Sequence, residues 1–126
     1  MNAKIALVAR YLLGLALLIF GVNKFINFLP PPELGPEANA FFAALINSGY
    51  LFGLIAIVEI AAGLSLLLNR YVALGLVILA PVSINIALFH IFLAPEGLFP
   101  GVVITILNFY LLFVNKPKFD GVLSAN

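Results

Sequence analysis

Four apolar stretches, each close to the length of one bilayer crossing, constrain this chain more than any other feature of its sequence. They cover residues 5–25, 49–68, 71–93 and 98–114, and charged or turn-forming residues bound each of them. A helix needs about 20 predominantly apolar residues to cross a membrane. The sequence therefore predicts an all-α membrane protein, in which residues 1–126 form a single domain built as a bundle of four transmembrane helices.

The composition excludes several other classes of protein. Hydrophobic residues make up 64% of the 126 residues, charged residues make up 9%, and the mean hydropathy is +1.22. Soluble domains carry about 25% charged residues. Six basic against five acidic residues leave no basic surface for nucleic acid, so we expect no nucleic-acid partner. With no cysteine and one histidine, the sequence predicts no metal site and no intrinsic cofactor or redox centre.

The first two apolar stretches are joined by the one long connection, which contains a run of prolines and ends at Asn47-Ser48-Gly49. Before that break, apolar residues recur at helical spacing between positions 38 and 47. They are Phe41, Phe42, Leu45 and Ile46. The pattern has two interpretations: a short helix at the membrane interface between the first and second spans, or an early start of the second span.

The distribution of charge predicts the orientation. With four crossings, the two termini and the connection between the second and third spans share one side of the membrane. That side holds Lys4, Arg10, Arg70, Lys116 and Lys118. The other side holds Lys24 and His90 beside Glu33, Glu37 and Glu96. Because cytoplasmic flanks are enriched in Lys and Arg, we expect both termini to be cytoplasmic, with Arg10 and Arg70 as cytoplasmic anchors.

Glu59 lies near the middle of the second apolar stretch, which puts its carboxyl group near the bilayer midplane. An acidic side chain at this depth costs roughly 3 kcal/mol on insertion scales. So short a side chain does not reach the interface from there. We therefore expect Glu59 to be hydrogen-bonded or ion-paired within the bundle, or to serve as a proton or ligand site.

Helical side chains lean toward the N-terminus of their own helix, and this rule brings five polar groups toward one half of the bundle. The five are Glu59, Lys24, His90, Asn85 and Asn108. Together they form a candidate ligand-binding or proton site in the half opposite the termini. Three of them also have simpler interpretations: Lys24 as an interfacial anchor, His90 as a headgroup contact, and Asn108 as a hydrogen bond between helices.

Small residues mark one face of each of the first two spans. Gly14 and Gly21 lie on a common line of the first span, and Gly53 and Gly63 lie on a similar line of the second. Small residues let transmembrane helices approach closely. We therefore expect these two faces to pack against each other.

The order and spacing of these residues resemble the DoxX family of small four-helix membrane proteins. The resemblance rests on Arg10, on GVNKF at residues 21–25, on EIAAGLSLLL at residues 59–68 and on Arg70. It implies a four-helix bundle in a bacterial or archaeal cytoplasmic (inner) membrane. Some relatives are subunits of thiosulfate:quinone oxidoreductase or quinol oxidase systems, and others belong to oxidative-stress membrane complexes. His90 and Asn85 are not carried by this resemblance.

These observations give three functional hypotheses. The first is an accessory subunit that binds a quinone-like or other lipophilic molecule in a phenylalanine-lined cavity beside Glu59, within a membrane redox system that supplies oxidoreductase partner subunits. The second is a proton-coupled small-molecule transporter, although the small multidrug exporters carry their glutamate in the first helix. The third is a structural protein whose buried pair holds the helices in register for assembly. Whether the chain takes part in catalysis stays open, and a homo-oligomer suits its small-residue faces.

Overall fold

The computed structural model describes residues 2–31 and 33–125, which form helices and connecting turns. Its α-helices are α1 (Ala3–Ile26), α2 (Pro36–Asn47), α3 (Leu51–Leu68), α4 (Val72–Phe92), α5 (Leu98–Val114) and α6 (Asp120–Leu123). Two 3-10 turns lie at Pro95–Gly97 and Lys116–Phe119. Asn27 and Asn69 end α1 and α3 in the left-handed conformation, which asparagine tolerates better than most residues.

Four helical segments are long and apolar enough to cross a membrane: α1, α3, α4 and the segment Pro95–Val114 that contains α5. The four predicted spans are thus confirmed, with ends within two residues of those expected. Only 22% to 28% of the residues in each span are buried, so apolar side chains cover the outside of the bundle. Such a surface is unfavourable in water and indicates an integral membrane protein.

The four long helices form an antiparallel ring, in which α1 and α4 each pack against both α3 and α5. Two contacts along each helix pair give the antiparallel directions. Gly14 lies beside Gly63 and Gly21 beside Ala56, while Ser83 lies beside Asn108 and His90 beside Gly101. The start of α1, the α3–α4 turn and the end of α5 therefore share one end of the bundle, which we name the terminal end. The opposite end, which carries α2 and the Pro95–Gly97 turn, is the distal end.

Glycines bring α1 and α3 into close contact. A Cβ atom at Gly63 would lie 2.9 Å from the carbonyl oxygen of Gly14, and one at Gly21 would lie 2.7 Å from a side chain of α3. Real Cβ atoms do not approach other atoms this closely, so both positions require glycine as the helices now stand. Gly53 differs, because its nearest neighbour would be 3.9 Å away, at ordinary contact distance.

The interior contains an apolar cluster and three polar side chains. The cluster is densest toward the terminal end, and its fully buried leucines are Leu13, Leu17, Leu66, Leu76, Leu79 and Leu111. Glu59, Ser83 and Asn108 are the buried polar side chains. Because hydrocarbon offers these groups no partners, each of them depends on contacts within the bundle.

The segment between α2 and α3 shows where the second span begins. Gly49 has φ +87°, a conformation that favours glycine, and Ser48 Oγ accepts hydrogen bonds from the backbone N–H groups of Tyr50 and Leu51. This turn separates the two helices, so the second span does not start early and α2 is a helix of its own. Its position at the membrane interface stays a prediction.

Candidate functional site

Glu59 faces the interior of the bundle. The buried residues of α3 are Ala56, Glu59, Ala62, Gly63 and Leu66, which repeat at intervals of three and four and so form one stripe along the helix. Glu59 itself is 1% exposed. The stripe turns the carboxylate toward the other helices and away from the surface that lipid would cover.

Lys24 brings its ammonium group to this carboxylate from the last turn of α1. The glycine contacts set the register, since Gly21 packs beside Ala56 and Ile60. The Cα atom of Lys24 therefore lies about one helical turn closer to the distal end than Glu59 does. From there the Lys24 side chain extends along α1 toward the terminal end. Its Nζ lies 2.6 Å from Oε1 of Glu59. The pair thus joins the two helices at the level where the side-chain directions predicted it.

The two members of the pair differ in environment. The Lys24 side chain is 19% exposed, whereas the Glu59 side chain is 2% exposed. Oε1 lies within ion-pair distance of the ammonium, yet it accepts no well-aligned hydrogen bond from any residue that the structure describes. We take the short distance as the decisive fact, because attraction between opposite charges does not require hydrogen-bond alignment. The Glu59 carboxylate is buried, whereas part of the Lys24 side chain remains exposed.

One phenylalanine ring lies near Lys24, and it belongs to a cluster of four rings. Its Nζ lies 5.9 Å from the ring centroid of Phe52, which is within the range of a cation–π contact. Phe42 of α2 contacts Phe52 at 6.0 Å and Phe89 of α4 at 5.1 Å between centroids, and Phe41 contacts Phe89 at 5.5 Å. We name these four rings the distal phenylalanine cluster. It links α2, α3 and α4 and lies between Lys24 and the distal end.

Asn108 is part of a separate polar network between α4 and α5. It is fully buried; its Oδ1 accepts from Ser83 Oγ at 2.7 Å, and its Nδ2 donates to the Leu76 carbonyl at 3.1 Å. Thr105 Oγ1 extends the network by donating to the Ser83 carbonyl at 2.8 Å. The sequence reasoning missed Ser83 and Thr105. The sequence pattern does not reveal Ser83, because nearly every residue of α4 is apolar; in the structure it continues the spacing of the buried residues Val72, Leu76 and Leu79.

Asn85 and His90 lie away from the ion pair, and each side chain makes a hydrogen bond to a carbonyl group of its own helix, α4. Asn85 is exposed on α4, where its Nδ2 donates to the Pro81 carbonyl at 3.2 Å. His90 Nδ1 lies 2.8 Å from the Ile86 carbonyl, and since a carbonyl only accepts, Nδ1 must carry the proton. The imidazole also fills the space beside Gly101. Of the five groups predicted to converge, the structure directly joins Lys24 and Glu59.

Arg10 and Arg70 lie at the terminal end. Arg10 Nη1 donates to the Leu66 carbonyl, and its guanidinium lies 4.7 Å from the Tyr11 ring centroid. Arg10 therefore satisfies a carbonyl in the last turn of α3, where a cation also complements the helix dipole. Arg70 is exposed in the α3–α4 turn. The side of the membrane that both residues face stays a prediction.

Two cavities lie away from the ion pair. One, of about 350 Å³, lies at the terminal end among Asn2, Arg10, Asn69 and Asn115. The other, of about 380 Å³, lies between α1 and α5. Among residues 2–31 and 33–125, no group of three or more His, Cys, Asp or Glu side chains is placed to hold a metal ion.

Comparison with known proteins adds no relative to this description. No protein-family model, curated protein or solved structure matches the chain. The likeness to the DoxX family therefore stays a prediction from the residues quoted above. We infer the function from the geometry of the ion pair and its surroundings.

Proposed function

We propose that this chain is a DoxX-like accessory subunit of a membrane redox system, and that it binds a quinone-like or other lipophilic small molecule beside Lys24 and Glu59. In this proposal the chain lies in a bacterial or archaeal cytoplasmic membrane with both termini inside. Oxidoreductase partner subunits, or further copies of the chain, complete the assembly. The chain itself contributes binding and no redox centre.

The observation that carries the proposal is the unequal exposure of the ion pair. An ammonium group has three N–H donors, and Glu59 Oε1 occupies one side of it. Nζ also lies 5.9 Å from the ring centroid of Phe52, a member of the distal phenylalanine cluster, and the Lys24 side chain is 19% exposed. A quinone carries carbonyl oxygens that need donors and a flat ring that stacks well on phenylalanine. Lys24 and the cluster together supply both kinds of contact.

In this arrangement Glu59 positions Lys24. The carboxylate has no direct access to the cluster, since its side chain is only 2% exposed. Its charge attracts the ammonium and holds it at the end of α1, near the ring of Phe52. In this proposal the ligand enters where Phe42 of α2 contacts Phe52, and α2 shifts away from Phe52 to admit it.

The test measures binding of decylubiquinone to purified protein in nanodiscs by equilibrium dialysis. We expect Lys24→Met and Glu59→Gln each to weaken binding about tenfold or more, since a hydrogen bond to a charged group contributes about 1.5 to 3 kcal/mol. Lys116→Met removes an exposed lysine at the terminal end and serves as the matched control. The proposal fails if organic extracts of the purified protein contain no lipophile and Glu59→Gln binds decylubiquinone as the unaltered protein does.

A structural role is the second candidate, and the contact between Gly14 and Gly63 favours it. That contact and the Lys24–Glu59 pair both fix α1 against α3, as a scaffold for partner subunits would require. If the role is structural, replacing both charged residues with apolar ones will preserve assembly and function. The ligand-binding proposal predicts instead that the double replacement folds but loses decylubiquinone binding.

A further inference from the structure

An apolar groove lies between α1 and α5 near the terminal end, away from the Lys24–Glu59 pair. Its volume is about 380 Å³. It is lined by Lys4, Ile5, Val8, Ala9, Leu12 and Leu107, which we name the α1–α5 groove. Lys4 is its only charged member and lies at its outer rim, while the small side chain of Ala9 leaves room along α1. The groove surface is apolar, and the residue at its rim carries a cationic group.

The groove extends over just over two turns of α1, which part of one acyl chain can cover. From Lys4 to Leu12 the helix rises about 12 Å, at about 1.5 Å per residue. Ile5, Val8 and Leu12 are each 56% exposed, so they offer apolar contact to whatever lies in the groove. Along the membrane normal, starting from the terminal end, the groove presents first a positively charged residue and then apolar side chains. A phospholipid presents the complementary order, with a phosphate above its acyl chains.

The charge distribution favours an anionic ligand at this end. Of the six basic residues, Lys4, Arg10, Arg70, Lys116 and Lys118 lie at the terminal end, where Asp120 is the acidic residue. The acidic residues Glu33, Glu37 and Glu96 lie at the distal end. The terminal end therefore attracts negative headgroups, and basic sites between transmembrane helices are suited to anionic lipids.

Lys4 is the cation of this end that is free to contact a ligand in the groove. Arg10 points to the other side of α1, where it donates to the Leu66 carbonyl. The ammonium group of Lys4 makes no hydrogen bond or ion pair with residues 2–31 or 33–125, and the residue is exposed. Its backbone N–H is bonded to the Asn2 side chain, which fixes the first turn of α1 and so the place from which the lysine extends.

We propose that the α1–α5 groove binds one acyl chain of an anionic phospholipid whose phosphate contacts Lys4. The site is independent of the ion pair and of any ligand bound there. Lys4 selects for an anionic headgroup, and the apolar lining holds the acyl chain at the depth of the hydrocarbon. Because the groove lies between α1 and α5, which close the ring, binding there links this helix contact to one class of lipid.

The experiment compares retention of two lipids with identical acyl chains, phosphatidylglycerol and phosphatidylcholine, by native mass spectrometry of the purified protein. We expect the unaltered protein to retain phosphatidylglycerol in preference. Lys4→Gln should lower phosphatidylglycerol retention about fivefold, because one lysine near an anionic surface contributes about 1 kcal/mol. Lys118→Gln is the matched control, since it removes an exposed lysine at the same end that does not line the groove.

A third variant tests the acyl-chain part of the site. Val8→Phe fills the groove from an exposed position and should lower retention of both lipids while leaving the helical circular dichroism spectrum unchanged. Three results each overturn the proposal: equal retention of the two lipids by the unaltered protein, equal losses from Lys4→Gln and Lys118→Gln, or full retention of phosphatidylglycerol by Val8→Phe. The second result would mean that the cations act as a diffuse field.

Discussion

Gly63 packs against the backbone of Gly14 so closely that a Cβ atom at position 63 would lie 2.9 Å from the Gly14 carbonyl oxygen. This contact sets the spacing of α1 and α3. The same two helices carry Lys24 and Glu59, whose charged atoms lie 2.6 Å apart. Close backbone approach and a short ion pair are therefore parts of one interface. A substitution at the glycine contact should therefore also alter the geometry of the ion pair.

Gly63→Ala should destabilise the bundle by about 1 to 2 kcal/mol, because the added methyl group meets backbone atoms of Gly14 and Leu18 that cannot rotate away. The measurement is thermal unfolding in detergent, followed by circular dichroism. Gly53→Ala is the matched control on the same helix. Its Cβ would have 3.9 Å of clearance, so better helix propensity should leave stability unchanged or higher. Equal losses at the two positions would contradict a steric cause.

Lys24→Met should cost about 3 to 5 kcal/mol of stability, because it leaves the buried Glu59 carboxylate without its partner. Replacing both residues, as Lys24→Met with Glu59→Leu, should recover most of this loss, since the interior then contains no unpaired charge. A double-mutant cycle in the same detergent gives the coupling between the two sites. A cycle with no coupling would show that the short distance contributes nothing to stability.

The four spans and the Lys24–Glu59 pair were within reach of sequence reasoning, for definite physical reasons. A transmembrane span can be recognised in a sequence from its length and its apolar composition. The lean of side chains toward the helix N-terminus brings Lys24 back and Glu59 outward, so that they meet. The break at Ser48 and Gly49 also separates α2 from α3, although the sequence left an early start of the second span equally open.

The sequence did not predict the rotation of α4 about its own axis. In a soluble helix, hydrophobic periodicity tells which face is buried. In α4 nearly every residue is apolar, so the pattern does not distinguish the interior face from the lipid face. Asn85 and Ser83 lie two residues apart and therefore on nearly opposite faces. The structure turns Ser83 inward, toward Asn108, and leaves Asn85 exposed.

This difference between the two asparagines yields a prediction. Asn108→Leu should destabilise the bundle by about 1 to 2 kcal/mol, because it removes the hydrogen bonds to Ser83 and to the Leu76 carbonyl from a fully buried position. Asn85→Leu makes the same chemical change on an exposed face and should leave stability unchanged or higher. The comparison is made by unfolding in detergent. A larger loss for Asn85→Leu would mean that the rotation of α4 is different from that described.

His90 and Gly101 provide the last prediction, because their contact is specific enough to test by a double-mutant cycle. A Cβ atom at Gly101 would lie 2.6 Å from His90 Nδ1, the atom that donates to the Ile86 carbonyl. Gly101→Ala should therefore push the imidazole off this acceptor and cost about 1 to 3 kcal/mol.

In a His90→Ala background the same change should cost nothing, since the clashing ring is gone and alanine favours the helix by up to about 1 kcal/mol. The measurement is the unfolding free energy of the unaltered protein, the two single variants and the double variant. Gly121→Ala is the control, because nothing lies within 4 Å of a Cβ atom there. If Gly101→Ala is equally costly with and without His90, the glycine is required by the α4–α5 backbone contact, and the imidazole merely occupies the space that this contact leaves.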